Sequence, residues 1–230
     1  MFFWDPMYLI FALPALLLAF YAQARVQAAY SKYTRVPNSR GVSGLQAAKY
    51  LLDSVGLSFL NIEGTPGELS DHYDPRSKTL RLSPAVARQP SVAALSIVAH
   101  EIGHALQDAE GYAPLRVRSG LVPAVTVGSW VGPILFVLGL LMASPTLAWA
   151  GVAAFAGAAV FALVTLPVEF NASRRGLVLL RQSGLLAEGE LQGAKQVLDA
   201  AALTYVAALA QSLSTLLYYI FLVSGMRRRD

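Results

Sequence analysis

Residues 91–108 read SVAALSIVAHEIGHALQD and place a His-Glu-x-x-His pattern at the end of an apolar run. Ser91 is a suitable N-cap and Gly111 a suitable terminator, so the stretch predicts an α-helix. On such a helix His100 and His104 lie one turn apart on the same face. Both imidazoles can therefore offer a ring nitrogen to one metal ion, and the pattern predicts a site for one Zn²⁺ ion.

Glu101 lies one residue further around the helix than His100. Its carboxylate is expected beside the metal without being a necessary ligand, which suits a general base that takes a proton from water. The alternative is a chance match, or a helix with two structural histidines. The chain has three histidines in 230 residues, and two of them fall in this one pattern, which favours the zinc site.

The composition is too apolar for an ordinary soluble domain of this size. Hydrophobic residues make up 55% of the chain, charged residues 14%, and the mean hydropathy is +0.50. An integral membrane protein is expected. There is no cysteine, so a metal must be held by histidine and carboxylate. The formal charge of +4 fits the basic flanks of membrane spans, and no nucleic-acid partner is expected.

Four apolar runs predict about four transmembrane helices. The first lies within residues 1–28 and is expected to be retained, because its start is acidic and aromatic rather than basic; Phe2, Phe3 and Trp4 are predicted anchors at one membrane interface. Residues 121–168 are expected to form a transmembrane hairpin. Residues 204–230 hold the last span and a basic tail, Arg227 to Arg229.

Residues 29–120 and 169–203 contain most of the charges and turn formers. The first of these regions predicts a small α+β layer with a helix capped by Ser43, three short strands and the helix of the His-Glu-x-x-His pattern. The strand at Thr79–Leu82 is interpreted as an edge that could pair with an extended peptide. Residues 169–203 are expected to return to this layer and to supply the third zinc ligand.

The distribution of Lys and Arg predicts the orientation. Residues 25–120 and 169–203 hold nearly all of these side chains, so both are expected on the cytoplasmic side of the inner (cytoplasmic) membrane, in a multi-pass protein. The basic tail at residues 227–229 opposes this assignment, because four spans would place it outside. The larger and earlier charge groups usually dominate, and the cytoplasmic assignment is retained.

Glu169 is the favoured third ligand, because it lies where an apolar run becomes polar and a buried carboxylate there needs neutralising. The alternative is an interfacial residue paired with Arg174 or Arg175. For stabilising an oxyanion, His72 and Tyr73 are the available donors just ahead of the metal helix. A structural histidine in a turn is the equally weighted alternative for His72.

The order of these motifs resembles a known family. A first span, the segment at Asp71–Ser77, the His-Glu-x-x-His helix, an apolar hairpin and the segment at Leu166–Arg175 are together similar to the YugP-type neutral zinc metallopeptidases of bacterial membranes. More distantly, the arrangement is similar to the HtpX-type membrane proteases. The resemblance implies a gluzincin-like site with two histidines and Glu169 on zinc. Ser173 stands where the distant relatives carry an acidic residue, which leaves the partner behind the ligands open.

An α-helical membrane protein with a small α+β, zincin-like catalytic layer is therefore expected. The function expected from motif and resemblance is a membrane-embedded zinc endopeptidase acting on peptides or membrane proteins near the bilayer surface. One alternative is a non-catalytic adaptor that uses zinc to hold its layers together. Another is a subunit of a larger membrane complex, and an oligomer or accessory partner is compatible with the sequence.

Overall fold

A computed structural model describes residues 6–226. Over this range the chain forms seven helices and three strands. In chain order they are α1 (Pro6–Thr34), α2 (Gly44–Ser54), β1 (Asn61–Gly64), β2 (His72–Asp74), β3 (Thr79–Leu82), α3 (Pro84–Arg88), α4 (Val92–Ala109), α5 (Ala113–Leu141), α6 (Pro145–Ser183) and α7 (Glu188–Met226). The predicted interface anchors Phe2, Phe3 and Trp4 and the basic tail at residues 227–229 lie outside the described residues.

Four helices, α1, α5, α6 and α7, are long and apolar enough to cross a membrane. This confirms the predicted number of apolar spans among the described residues. Two of these helices, α6 and α7, have 39 residues each, far more than the roughly 20 that a span needs. Helix α6 contains Pro167 and continues to Ser183. The change from apolar to polar residues after Val168 therefore does not end the helix.

The chain divides into two compact units. The helical unit combines the part of α1 up to Ala22, residues 116–166 and the part of α7 from Thr204 onward. The mixed unit combines Gln23–Leu115 with Pro167–Leu203 and contains the sheet. Helices α6 and α7 each contribute residues to both units.

Within the helical unit, α5 and α6 are joined by a short turn and pack through small residues. A Cβ at Gly132 would lie 2.9 Å from the backbone nitrogen of Phe155, and one at Gly151 would lie 2.4 Å from that of Phe136. Close backbone approach at glycine is a usual way for helices to associate in lipid, where packing replaces the hydrophobic effect. That this pair of helices crosses the membrane as a hairpin stays a prediction.

In the mixed unit the strands are arranged β1-β3-β2. Strands β2 and β3 form an antiparallel pair joined by a turn that includes Asp74, whose carboxylate accepts hydrogen bonds from the Arg76 N–H and the Ser77 hydroxyl. Strand β1 adds in parallel on the other side of β3. The interpretation of Thr79–Leu82 as a free edge is therefore wrong, because both of its sides are paired. Leu80 and Leu82 are buried, so β3 is the core strand of the sheet.

Helix α4 runs through the core of the mixed unit. The Ser91 hydroxyl accepts a hydrogen bond from the Ala94 N–H, as an N-cap does, and Gly111 follows the helix with a positive φ of 65°. Twelve of its 18 residues are buried. Leu95 and Ile102 are fully enclosed, in one cluster with residues of α2, β3 and α6. Because α4 is buried on most sides, packing against its neighbours fixes the directions of its side chains.

Helices α4 and α6 touch through their backbones at two points. A Cβ at Gly103 would lie 2.4 Å from the carbonyl oxygen of Ala172, and a Cβ at Gly176 would lie 2.8 Å from that of Ala99. Real Cβ atoms do not approach a carbonyl so closely, so both positions require glycine unless the helices separate. This crossing places residues of α6 directly beside His100 and His104.

Replacing Gly103 by alanine is expected to force α4 and α6 apart and to destabilise the protein by about 1–3 kcal/mol, as overpacking of a core does. Thermal unfolding in detergent would measure the loss. Gly189→Ala is the matched control, because that helical glycine has open space around its Cβ position and should be neutral or stabilising by about 0.4–1 kcal/mol. A Gly103→Ala protein that melts with the wild type would contradict the tight crossing.

Candidate metal centre

His100 and His104 present their imidazoles side by side on α4, with ring centroids 4.8 Å apart. Each Nδ1 atom has its own partner. Nδ1 of His100 lies 3.1 Å from the Ser173 hydroxyl, and Nδ1 of His104 lies 3.0 Å from Gln107 Oε1. Both Nε2 atoms face the carboxylate of Glu169 on α6. The pair has the orientation that two ligands of one ion require.

Glu169 enters this group from α6, and its side chain is 2% exposed. Its Oε2 atom lies 3.3 Å from His100 Nε2 and 3.5 Å from His104 Nε2. Of the two alternative partners, Arg174 and Arg175, the latter is engaged elsewhere, because its guanidinium donates two hydrogen bonds of 2.7 Å to the carboxylate of Glu110. The structure thus brings together the three side chains predicted to hold the metal.

The two distances that join Glu169 to the imidazoles fit zinc. Ligand atoms of all three residues lie within 4.8 Å of one another. Zinc binds imidazole nitrogen and carboxylate oxygen at about 2.0–2.2 Å in tetrahedral geometry, so neighbouring ligand atoms stand about 3.3–3.6 Å apart. The two contacts of Glu169 with the imidazoles have this separation. Three protein ligands of this type leave the fourth position for water or substrate, as in catalytic zinc sites.

Glu101 lies next to the three ligands and is 9% exposed. Burial raises the pKa of its carboxyl above the ordinary value, and the neighbouring imidazoles of His100 and His104 only partly oppose this. Its Oε2 accepts a hydrogen bond of 3.0 Å from the backbone N–H of Tyr73, which fixes the carboxylate in place. A carboxyl with a raised pKa can both accept and return a proton near neutral pH.

The surroundings of His104 favour the protonated form of its ring when no metal is bound. Burial lowers the pKa of His104, but hydrogen bonding to Glu169 and the charges of Glu101 and Glu169 outweigh it, so the pKa is raised overall. A metal must displace that proton. Zinc binding is therefore expected to weaken as the pH falls.

The two predicted oxyanion donors lie on β2, and neither side chain is directed at the three ligands. His72 is exposed, and its Nδ1 lies 2.8 Å from the carbonyl oxygen of Ser70, to which it donates. The Tyr73 hydroxyl donates to Asp108 over 2.6 Å, and burial together with this carboxylate raises the pKa of the phenol. Only the backbone of Tyr73 reaches the centre, through Glu101.

Two residues that support the ligands, Gln107 and Asn171, were missed by the sequence reasoning. Ser173, whose role was left open, contacts His100. Gln107 follows His104 by three residues, so it lies on the same helical face, and its amide nitrogen donates to the side-chain oxygen of Asn171. The only available signal was this spacing, since amide side chains are common on helices.

Membrane-type helices, a His-Glu-x-x-His helix and a glutamate on a second helix are together the features of the class of membrane zinc metallopeptidases. The sequence profile of the family described as "Putative neutral zinc metallopeptidase" matches residues 8–224. The chain belongs to this family.

A curated relative extends this finding. The "Putative membrane protease YugP" of Bacillus subtilis (strain 168) is 41% identical over 216 residues, which cover 94% of this chain and 96% of that protein. The predicted resemblance is thereby confirmed over nearly the whole length. No solved structure matches the chain.

Glu169→Gln is expected to keep the fold and lose most bound zinc, because a neutral amide is a poor replacement for a carboxylate ligand. The loss of affinity should exceed the roughly 10–100-fold that removal of an outer partner costs. Metal analysis of the purified protein after dialysis against limiting zinc would measure it. Glu188→Gln is the control, since that glutamate is exposed and lies 3.7 Å from Arg181 on the surface. Equal zinc content in the two variants would exclude Glu169 as a ligand.

Proposed function

We propose that this chain is a membrane-embedded, zinc-dependent endopeptidase that holds one zinc ion and cleaves membrane-associated proteins or peptides near the bilayer surface. The main support is the position of Glu101. Its buried carboxyl with a raised pKa lies beside a three-ligand group whose spacing suits zinc. A purely structural zinc site is normally closed by four protein ligands and has no use for such a base.

In the proposed mechanism His100, His104 and Glu169 hold the ion. When bound, zinc supplies a Lewis acid that lowers the pKa of water and polarises the peptide carbonyl. Glu101 takes the proton from the attacking water and later returns it to the leaving amine. The Tyr73 N–H keeps the carboxylate of Glu101 oriented between these two steps.

The outer side of β2 is the proposed place for the substrate backbone. Tyr73 pairs with Leu80 of β3, but its N–H is donated to Glu101 instead of across the sheet. In an antiparallel pair such a residue also turns its carbonyl outward. An extended peptide added along β2 would therefore run past the centre and could donate an N–H to that carbonyl. The role assigned to β3 from the sequence passes to β2.

Stabilisation of the oxyanion stays a prediction for His72 and Tyr73. Because His72 Nδ1 donates to a carbonyl, the neutral ring carries no proton on Nε2. The Tyr73 hydroxyl is donated to Asp108. Either side chain would have to exchange its present partner for the substrate to fill this role.

Action near the bilayer surface is supported by α6. This helix has the length and hydropathy of a membrane span and also carries Glu169. A substrate that reaches the ion would then be a juxtamembrane segment or a small membrane-associated peptide. The location proposed for the protein is the cytoplasmic membrane, with the mixed unit on the cytoplasmic side, as the distribution of Lys and Arg favours.

Single cysteines would test this orientation, since the chain has none of its own. Lys49 is exposed on α2, and Thr146 is exposed at the start of α6 beside the turn that joins it to α5. A membrane-impermeant maleimide is expected to label Thr146→Cys in intact cells and Lys49→Cys only after the membrane is opened. The reverse pattern would place the mixed unit outside.

The second candidate function is a non-catalytic adaptor, stabilised by zinc, alone or in a larger complex. Glu101→Gln separates it from the peptidase. The peptidase proposal expects this variant to retain zinc and to lose proteolysis by several orders of magnitude, because the neutral amide cannot accept the proton. Cleavage of a membrane-anchored model protein in liposomes, compared with the same sequence lacking its anchor, would measure both activity and membrane dependence.

Glu188→Gln is again the control for that assay and should cleave like the wild type. Wild-type protein that binds zinc but leaves every substrate intact would favour the adaptor. Activity that appears only with a co-purified membrane protein would instead assign the chain to a larger complex.

A further inference from the structure

We propose that Gln107 is a positioning residue that holds His104 with a proton on Nδ1, so that Nε2 is the nitrogen left for the ion, and that Asn171 and Arg175 keep Gln107 in the required orientation. This role rests on the zinc site proposed above, because it prepares His104 to be a ligand. It does not depend on proteolysis.

The orientation of the Gln107 amide follows from a neighbour that can only accept hydrogen bonds. Gln107 is fully buried between α4 and α6. One atom of its amide lies 2.8 Å from the backbone carbonyl oxygen of Val168. A carbonyl oxygen cannot donate, so that atom must be the nitrogen. The other atom, Oε1, is therefore the one that faces His104.

Asn171 gives the same answer independently. Its side-chain oxygen lies 2.7 Å from Nε of Arg175 and 3.0 Å from Nε2 of Gln107. A guanidinium only donates, so Asn171 must present oxygen to Arg175. The same oxygen then accepts from Gln107, which again requires the amide nitrogen at that position.

Arg175 is itself held in place. Its remaining nitrogens donate to both oxygens of Glu110 over 2.7 Å, and its guanidinium carbon lies 6.0 Å from the ring centroid of Tyr112. A two-bond contact of this kind fixes the plane of the guanidinium. A series of hydrogen bonds thus runs from Glu110 at the end of α4 to Arg175 and Asn171 on α6 and back to Gln107 on α4. Each contact fixes the orientation of the next side chain.

The consequence falls on His104. Gln107 Oε1 lies 3.0 Å from Nδ1 of His104 and can only accept, so Nδ1 must carry a proton. Nε2 of the same ring faces the carboxylate of Glu169, which also accepts hydrogen bonds and favours a proton there until a metal binds. Because Nδ1 is already protonated, the ring needs only to lose the Nε2 proton, with no tautomer change, to bind a metal.

His100 provides the contrast within the same site. Its Nδ1 lies 3.1 Å from the hydroxyl of Ser173, which can donate or accept. The tautomer of His100 is therefore not imposed by its partner in the way that Gln107 imposes that of His104.

The test measures the ring protons directly in metal-free Glu169→Gln protein, because the wild-type carboxylate would compete for a proton on Nε2, whereas an amide can donate to it. Protein labelled with ¹⁵N-histidine, in detergent and at a pH high enough for neutral rings, gives long-range ¹H–¹⁵N spectra that report which nitrogen of each ring is protonated. Only three histidines are present, and single substitutions assign them. We expect His104 of this protein to carry its proton on Nδ1. A ring protonated on Nε2 would overturn the proposal.

Gln107→Met keeps an unbranched side chain of similar length but removes the acceptor. In the Glu169→Gln protein it is expected to release His104 into a mixture with the Nε2-protonated form; in the otherwise wild-type protein it should lower zinc affinity about 10–100-fold, as loss of an outer partner does. Gln182→Met is the matched control, because Gln182 is exposed near the end of α6, and it should leave the spectrum and the affinity unchanged. A Gln107→Met protein with His104 still fully protonated on Nδ1 would refute the role of Gln107.

Two substitutions at Asn171 test whether Asn171 and Arg175 orient Gln107. They also test the proposal if the Gln107→Met protein does not fold. Asn171→Asp keeps an oxygen toward both Arg175 and Gln107 and should preserve the tautomer. Asn171→Leu should broaden the His104 signals and weaken zinc binding less than Gln107→Met, because Val168 still holds the amide. Indistinguishable spectra for the two variants would remove Asn171 and Arg175 from the proposal.

The outcome is separable from that of the proposed function. An Nδ1-protonated His104 in the Glu169→Gln protein, together with wild-type protein that cleaves no substrate, would leave the positioning role intact and refute the peptidase. Active wild-type protein, together with His104 of the Glu169→Gln protein protonated on Nε2, would do the opposite.

Discussion

The contact between the backbones of α4 and α6 is the constraint on which the centre depends. Gly103 and Gly176 allow the helices to approach until a Cβ would meet a carbonyl oxygen. At a wider spacing Glu169 could not lie 3.3 Å from His100. Two small residues far apart in the chain therefore decide whether three ligand atoms meet. Neither of them takes part in the proposed chemistry.

The centre concentrates charge inside a mostly apolar protein, and every charged group there has a partner. Glu169 lies against two imidazoles and Glu101 accepts a backbone N–H. Buried carboxylates are costly unless they are paired or bind a metal. A zinc ion would neutralise Glu169 and at the same time displace the proton that the carboxylates favour on His104. The arrangement is consistent with a site that is stabilised when the ion binds.

The two helices that carry the ligands differ in composition and in the units to which they belong. This difference connects the site with the membrane assignment. Helix α4 belongs to the mixed unit alone, whereas α6 begins in an apolar stretch with the composition of a span and carries Glu169 further along the same helix. The family relationship and the 41% identical "Putative membrane protease YugP" fit this plan. A carboxylate delivered by such a helix is the reason for proposing substrates close to the bilayer.

The sequence by itself determined the features that depend on neighbouring residues. The cap at Ser91, the terminating Gly111, the four apolar helices and the relation of His100 to His104 follow from short-range hydrogen bonding and from helical periodicity. Local patterns carry this information because caps and helix faces are set within a few residues. The identity of the motif, and with it the family, could therefore be predicted.

Apart from Glu169, which its place at the end of an apolar run and the family resemblance had pointed to, tertiary structure decided which distant residues meet. The parallel addition of β1 buried β3 inside the sheet and left β2 as the edge beside Glu101. Gln107 and Asn171 joined behind His104 because packing brought α4 and α6 together. No periodicity encodes such pairs, since their energy comes from contacts between segments some 60 residues apart in the chain.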